Sequence, residues 1–162
     1  MSERITDPVH GTTYEFERRG GDLYVETTMK PGGELPKHFH PKQTETWWVI
    51  DGEVGFHLDG SWRRIIPEDG EIEVRPGVVH GLRNRGEINA QLGCVASPAL
   101  GLEEFLTESS RAAREGLFIK GGLPKSWRGL RWAATFLKRF EDETVMTFPP
   151  RPLQRLMGPL AR

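Results

Sequence analysis

The stretch Gly32 to Gly52 reads GGELPKHFHPKQTETWWVIDG, and its polar residues His38, His40 and Glu45 are spaced as metal ligands usually are. Side chains at i and i+2 of a strand point the same way, about 7 Å apart along the backbone, so the two imidazoles can converge on one ion. A carboxylate five residues further on closes the set. Neutral imidazole with carboxylate suits zinc, iron, manganese, cobalt or nickel, and the hard oxygen donor argues against copper(I). A fourth ligand is sought among the remaining histidines. His80 follows a strand-like run, Glu71 to Arg75, and a Pro76-Gly77 turn, whereas His57 lies in the middle of the strand-like Val54 to Leu58. His80 is therefore the better candidate, and His57 reads as a solvent-facing strand residue.

The same stretch resembles the first motif of the cupins, G-x5-H-x-H-x4-E-x6-G, matched by Gly32, His38, His40, Glu45 and Gly52 without a gap. The second cupin motif, G-x5-P-x-G-x2-H-x3-N, is matched in spacing by Gly77, His80 and Asn84, while its first glycine, Gly70, and its proline each stand one residue late. Proline stands at Pro76, directly before Gly77, and Arg75 occupies its usual place. The shift touches a turn and leaves the ligand positions intact. The resemblance implies an antiparallel jelly-roll barrel and one divalent transition metal held by His38, His40, Glu45 and His80. It also allows dioxygenase, isomerase, epimerase, lyase and decarboxylase chemistries, a range too wide for the fold alone to settle.

Residues outside the motifs agree with an all-β fold followed by helices. Thr12 to Arg19 and Asp22 to Lys30 alternate, are rich in β-branched and aromatic residues, and are joined by Gly20-Gly21, which predicts a hairpin with Leu23, Val25, Thr27 and Met29 facing the core. Asp51-Gly52 and Asp59-Gly60 punctuate further short strands at the spacing of a barrel or sandwich. Strand parity places Trp47 and Val49 with Glu45, and Phe56 with Val54 and Leu58, so Trp47, Val49 and Phe56 are expected to line an apolar pocket beside the metal. Asn84 is expected to fix a turn, and Arg83 and Arg85 beside it are candidates for holding an anionic group. The first eleven residues read as a frayed, polar start in which His10 has no role.

After Ser97-Pro98 the apolar period lengthens to about 3.6. Leu102, Phe105, Leu106, Ser109 and Ala113 form one helical stripe, and Glu103, Glu104 and Glu108 lie near its N-terminus, where the helix dipole favours acid. A break at Gly121 to Pro124 precedes a second helix, Ser126 to Phe140, with Trp127, Leu130, Ala134 and Leu137 on one face and Trp132, Phe136 and Phe140 beside it. A third, short helix is expected from Pro152, with Leu153, Leu156, Met157 and Leu160 as its stripe. Residues 1–98 are thus read as the barrel and residues 99–162 as a helical tail packed on it or across a dimer.

The chain has 162 residues, enough for one core. Its formal net charge of −1 gives no global field favouring nucleic acid or an anionic membrane, and no apolar run approaches the length of a membrane span. The polar start lacks the basic and apolar regions of a signal peptide, which points to the cytoplasm. The single cysteine, Cys94, excludes an intramolecular disulfide, and in an apolar strand it reads as inert. The expected function is a metal-dependent enzyme acting on a small, oxygen-rich organic molecule, as a homodimer. The alternative is a non-enzymatic small-molecule binding or sensing module.

Overall fold

Alternation in the first hairpin leaves little choice of face. Tyr14 and Phe16 in β2 (Thr12–Arg19) and Leu23, Val25, Thr27 and Met29 in β3 (Asp22–Met29) are all buried in the computed structural model of the chain, which describes residues 4–150 together with Pro152 and Gln154. The two strands pair in register from Thr12 opposite Met29 to Arg19 opposite Asp22, and Gly20 takes the left-handed turn position. A short strand, β1 (Ile5–Asp7), pairs with the start of β2, so this part of the chain is not frayed. The sequence offered only three residues of strand pattern there, too few to outweigh its polarity.

Next come β4 (Glu34–Phe39), β5 (Thr44–Asp51), β6 (Val54–Leu58), β7 (Ser61–Ile65), β8 (Ile72–Val74), β9 (His80–Arg83) and β10 (Ala90–Ser97). They form two antiparallel sheets, a six-stranded one in the order β1-β2-β3-β10-β5-β8 and a five-stranded one. Neither sheet closes on itself among the described residues. One apolar cluster joins Phe16, Val25 and Trp47 of the first sheet to Val54, Phe56 and Leu82 of the second, so the sheets share a core. Gly52 ends the ligand-bearing stretch at a positive φ of 79°, and a Cβ there would lie 3.2 Å from both Ala90 Cα and Asn89 O. Only glycine meets both demands. Asn84 is buried and donates to the carbonyls of Met29 and Ile88 while accepting from Gly86 N, fixing the turn between β9 and β10.

The change of period after Pro98 gives α1 (Leu102–Arg114) and α2 (Trp127–Arg139), separated by the small hairpin of β11 (Phe118–Ile119) and β12 (Leu123–Pro124). Ser126 caps α2 by accepting from Gly129 N. Gly129 also lets α2 approach the preceding segment, because a Cβ there would stand 2.5 Å from the Leu117 carbonyl oxygen. An aromatic row binds the helices together: Phe136 lies 4.7 Å from Phe105, 4.5 Å from Trp132 and 5.0 Å from Phe140, centroid to centroid. Arg139 bridges to Glu104 and Glu108 on the outside.

Beyond α2 the chain returns to the sheets. β13 (Val145–Met146) pairs with β4, Val145 opposite Phe39 and Met146 opposite His38, completing the five-stranded order β13-β4-β9-β6-β7. A segment from the end of the chain thus lies directly beside the first two candidate ligands. The expected third helix, with Leu153, Leu156, Met157 and Leu160, lies outside the described residues. Among those described, no helix is long and apolar enough to cross a membrane.

Candidate metal centre

His38 in β4 and His40, one residue past its end, turn their side chains the same way, β5 brings Glu45 next to them, and β9 opens with His80. One potential ligand atom from each of the four lies within 4.8 Å of the others. Two ligands on opposite sides of a first-row ion, each about 2.1 Å from it, are about 4.2 Å apart, so the cluster is nearly contracted to a coordination sphere. Gly77 N donates to the His40 carbonyl at 2.8 Å, which ties the Pro76-Gly77 turn to the end of β4.

Each imidazole is oriented through its Nδ1. His38 Nδ1 lies 2.7 Å from the Pro36 carbonyl, His40 Nδ1 2.9 Å from the Glu143 carbonyl and His80 Nδ1 3.0 Å from the Val78 carbonyl. A carbonyl only accepts, so all three Nδ1 atoms carry hydrogen, and a neutral ring then presents its lone pair at Nε2. His80 Nε2 sits 2.8 Å from Glu45 Oε2 and His40 Nε2 3.2 Å from Glu45 Oε1. The second contact is off-line for a hydrogen bond, leaving His40 Nε2 buried without a partner. Lone pairs facing a carboxylate repel unless a cation or proton stands between them, so this donor set fits a divalent metal ion. Backbone carbonyls behind ligating histidines are the usual outer support of such sites.

The charges agree with that chemistry. Burial drives the His38 pKa well below the ordinary histidine value, aided by His80 and His40, so that ring is neutral. Burial opposes ionisation of Glu45, but His40 and His80 outweigh it and hold its carboxyl well below the usual carboxylate range. For His40, burial is likewise overcome by Glu45 and the Glu143 carbonyl, and its pKa is raised, so that without an ion a proton is favoured on the ring facing Glu45, in the place a metal ion would take. Trp47 Nε1 donates to Glu45 Oε2 at 2.8 Å and so aims the carboxylate.

The cluster opens on a cavity of about 600 Å³, whose walls include His38, His40, Glu45 and Trp47. Val49 and Phe56, expected beside Trp47, are instead fully packed in the core and are not among the lining residues. Trp47 lies one step nearer Glu45 on the same strand face, which explains the difference from Val49. Arg83 and Arg85 do not border the cavity either; Arg83 stacks 3.8 Å over the Trp62 ring. His57 is buried, 8% exposed, with its ring 5.2 Å from that same indole, so it is neither solvent-facing nor near the cluster. Cys94 is buried, and burial together with the Glu45 charge pushes its thiol pKa well above normal.

Sequence reasoning missed the opposite wall. Phe105, Leu106, Trp132 and Phe136 of the helices border the cavity, as do Thr144 and the Asp7–His10 pair. Asp7 is buried and accepts from Val9 N, His10 N and His10 Nδ1, the last at 2.8 Å. The spacing D-x-x-H was the signal available, but without a strand to anchor it, it read as surface. No spacing announces that Glu143, about a hundred residues downstream, supports His40.

Residues 25–96 match the cupin domain family. Those residues form a cupin domain. In Penicillium expansum, a protein named as a probable oxidoreductase, patJ, is 56% identical over 56 residues, 35% of this chain and 17% of its own length. An oxidoreductase of Arthrobotrys oligospora is 40% identical over 106 residues, 62% of this chain and 42% of its own length. The chain therefore spans less than half the length of these relatives. A crystal structure from Klebsiella pneumoniae, of a protein with a double-stranded beta-helix domain, superposes with a TM-score of 0.52 and 27% identity, covering 59% of this chain and 80% of that one. The cupin match ends at Ala96, so α1, α2 and β13 lie outside it.

The contact from Trp47 to Glu45 yields a prediction. Trp47→Phe keeps most of the buried surface but removes the indole donor, so metal stoichiometry should hold while metal affinity falls about tenfold, the lower range for outer-shell changes. Competition with a chromophoric chelator measures this. An unchanged affinity means that His80 alone positions the carboxylate.

Proposed function

We propose that this cupin is a metal-dependent enzyme of oxidoreductase type acting on a small organic molecule that reaches the ion through oxygen atoms. The carrying observation is the set of three Nδ1-to-carbonyl bonds, which turns three Nε2 atoms toward one ionised carboxylate at a cavity wall. His38, His40, Glu45 and His80 would hold a divalent iron, manganese, nickel, cobalt or zinc ion. One observation favours redox chemistry over isomerase or lyase chemistry: the relatives in two fungi bear oxidoreductase names, and the donor set admits redox-active iron or manganese among its metals.

When bound, such an ion supplies Lewis acidity and, if redox-active, a route for electrons between substrate and an oxidant. The protein contributes the rest. One carboxylate and three neutral rings leave a net charge of about +1 on a divalent site, which favours an anionic or enolic oxygen donor. Trp47 fixes the carboxylate, and the carbonyls of Pro36, Val78 and Glu143 hold the rings. The apolar walls exclude water from the reacting face. The jelly-roll reading of the two sheets belongs to this proposal, with residues 99–162 as an extension whose described part borders the cavity, and so does a cytoplasmic homodimer, the dimer being checked by mass in solution.

Untagged protein purified without chelators should carry, or take up, about one equivalent of metal per chain. It should then consume oxygen or convert substrate with members of a panel of hydroxy and oxo acids, tested aerobically and anaerobically. Protein that neither carries nor takes up metal overturns the reading. Tight binding of the panel with no turnover under either condition assigns the protein to the non-enzymatic alternative.

A further inference from the structure

The cavity is not a bare cupin mouth. One wall is formed by the inner face of the six-stranded sheet together with β4 of the five-stranded sheet, where His38, His40 and Glu45 lie, and the other is built by α1 and α2 with Phe105, Leu106, Trp132 and Phe136. Its volume of about 600 Å³ falls within the roughly 300–1,000 Å³ of sites that enclose whole organic ligands. A small polar molecule would fill only the corner at His38, His40 and Glu45 and leave the aromatic wall unused.

The cavity also has a second polar end. His10 O accepts from Glu34 N at 2.9 Å, which sets His10 beside the first residue of β4, while His38 lies four residues further along that strand. At about 3.3 Å per residue the two ends are about 13 Å apart. His10 gives its Nδ1 to Asp7 and is part of the cavity wall, with 21% of its side chain exposed, so its Nε2 edge is the one left for a ligand. In the neutral ring that nitrogen accepts a hydrogen bond.

We propose that the cavity takes an elongated, mostly hydrocarbon molecule, with its oxygen donors at the metal cluster, its chain against the aromatic wall of the helices, and a terminal hydroxyl or similar donor at His10. The ligand class is a medium-length acid or hydroxy acid of about ten carbons, not a compact oxygen-rich one. The helical extension therefore sets substrate length. This rests on the metal-centre reading for one end only.

Binding to the full-length, metal-loaded protein tests it, read by tryptophan fluorescence, since Trp47 and Trp132 border the cavity, and confirmed by calorimetry. The probes are acetate, decanoate, 10-hydroxydecanoate and 1-decanol. Each methylene transferred from water to an apolar wall raises affinity up to about fourfold, so decanoate should bind at least about a hundredfold tighter than acetate. 10-Hydroxydecanoate should bind at least as well as decanoate, although a purely apolar far end would penalise the added hydroxyl, and His10→Phe should reverse that order. Ala133→Trp, on the cavity-facing side of α2, should cost decanoate at least tenfold and leave acetate and metal content unchanged; Ser109→Phe on α1 provides the same obstruction if the first variant does not fold. Protein that loads metal but binds decanoate no tighter than acetate overturns the proposal. Equal loss of acetate and decanoate in both filled variants does so too. Protein that takes up no metal yet binds 1-decanol keeps the chamber and overturns the metal centre instead.

Discussion

His40→Ala should reduce bound metal to background while both sheets still form. The variant loses one of the four converging donors, and the remaining three cannot regain a fourth protein ligand, because His57 and His10 lie elsewhere and the other histidines are already in the cluster. His40 has a second task that the other rings lack. Its Nδ1 donates across the fold to the Glu143 carbonyl, with the Thr144 hydroxyl 3.3 Å away, whereas His38 bonds only to Pro36, two residues back on its own strand. Leaving a partly buried carbonyl without its donor costs on the order of 1–3 kcal/mol. His38→Ala and His40→Ala should therefore lose metal alike, but only His40→Ala should speed hydrogen exchange at the Glu143 and Thr144 amides. Metal analysis and native-state exchange on the two variants provide the check. Full metal content in His40→Ala would remove that ring from the ligand set, and equal exchange in both variants would mean that the bond to Glu143 does not hold the tail.

That pairing also marks where the sequence stopped being informative. The convergence of the four candidate ligands was legible because strand parity is local: His38 and His40, the latter one residue past β4, share a face wherever that strand lies, and the joint spacing with Glu45 and His80 resembles a known motif. The inward faces of β2 and β3 were legible for the same reason, and helical periodicity likewise gave the stripes of α1 and α2, except that Trp127, expected on the α2 stripe, is exposed at the start of that helix. What parity does not give is depth along a face. Val49 shares its face with Trp47, yet two residues further on the sheet is already covered by core and no longer borders the cavity. Parity also fails where both faces of a strand are covered, as at His57, which packs against Trp62, itself stacked under Arg83, on the side opposite Phe56. Asp7 and His10 read as a polar start because the pairing of β1 with β2 comes from the fold. The cavity's far wall was the least visible feature, since it forms only when an amphipathic tail docks, and amphipathicity says that a face is covered without saying by what.

Phe136→Ala should then be the most destabilising single change in that wall. The side chain is 7% exposed and lies at the middle of the aromatic row, touching Phe105, Trp132 and Phe140, so truncation removes contacts on three sides. Buried Phe→Ala changes cost about 3–5 kcal/mol, least where neighbours can collapse into the space. Here the new void joins an existing cavity and its rim is held by the Arg139 bridges to Glu104 and Glu108, so collapse is limited, although some of the lost surface already faced the cavity. The lower end, about 3 kcal/mol, is the better expectation, and for a chain of this size it lowers the melting temperature by about 6–12 °C. Trp127→Ala on the same helix is the control: that residue is 61% exposed, and its loss should cost under about 0.5 kcal/mol. The shape of the transition carries further information. Because β13 pairs with β4 and the Glu143 carbonyl holds His40, helices and sheets should melt together, and the variant should show one shifted transition by calorimetry. Two separated transitions, the lower one taking only helical signal, would make residues 99–162 an independently melting unit and would leave the cavity wall able to open while the metal centre stays folded.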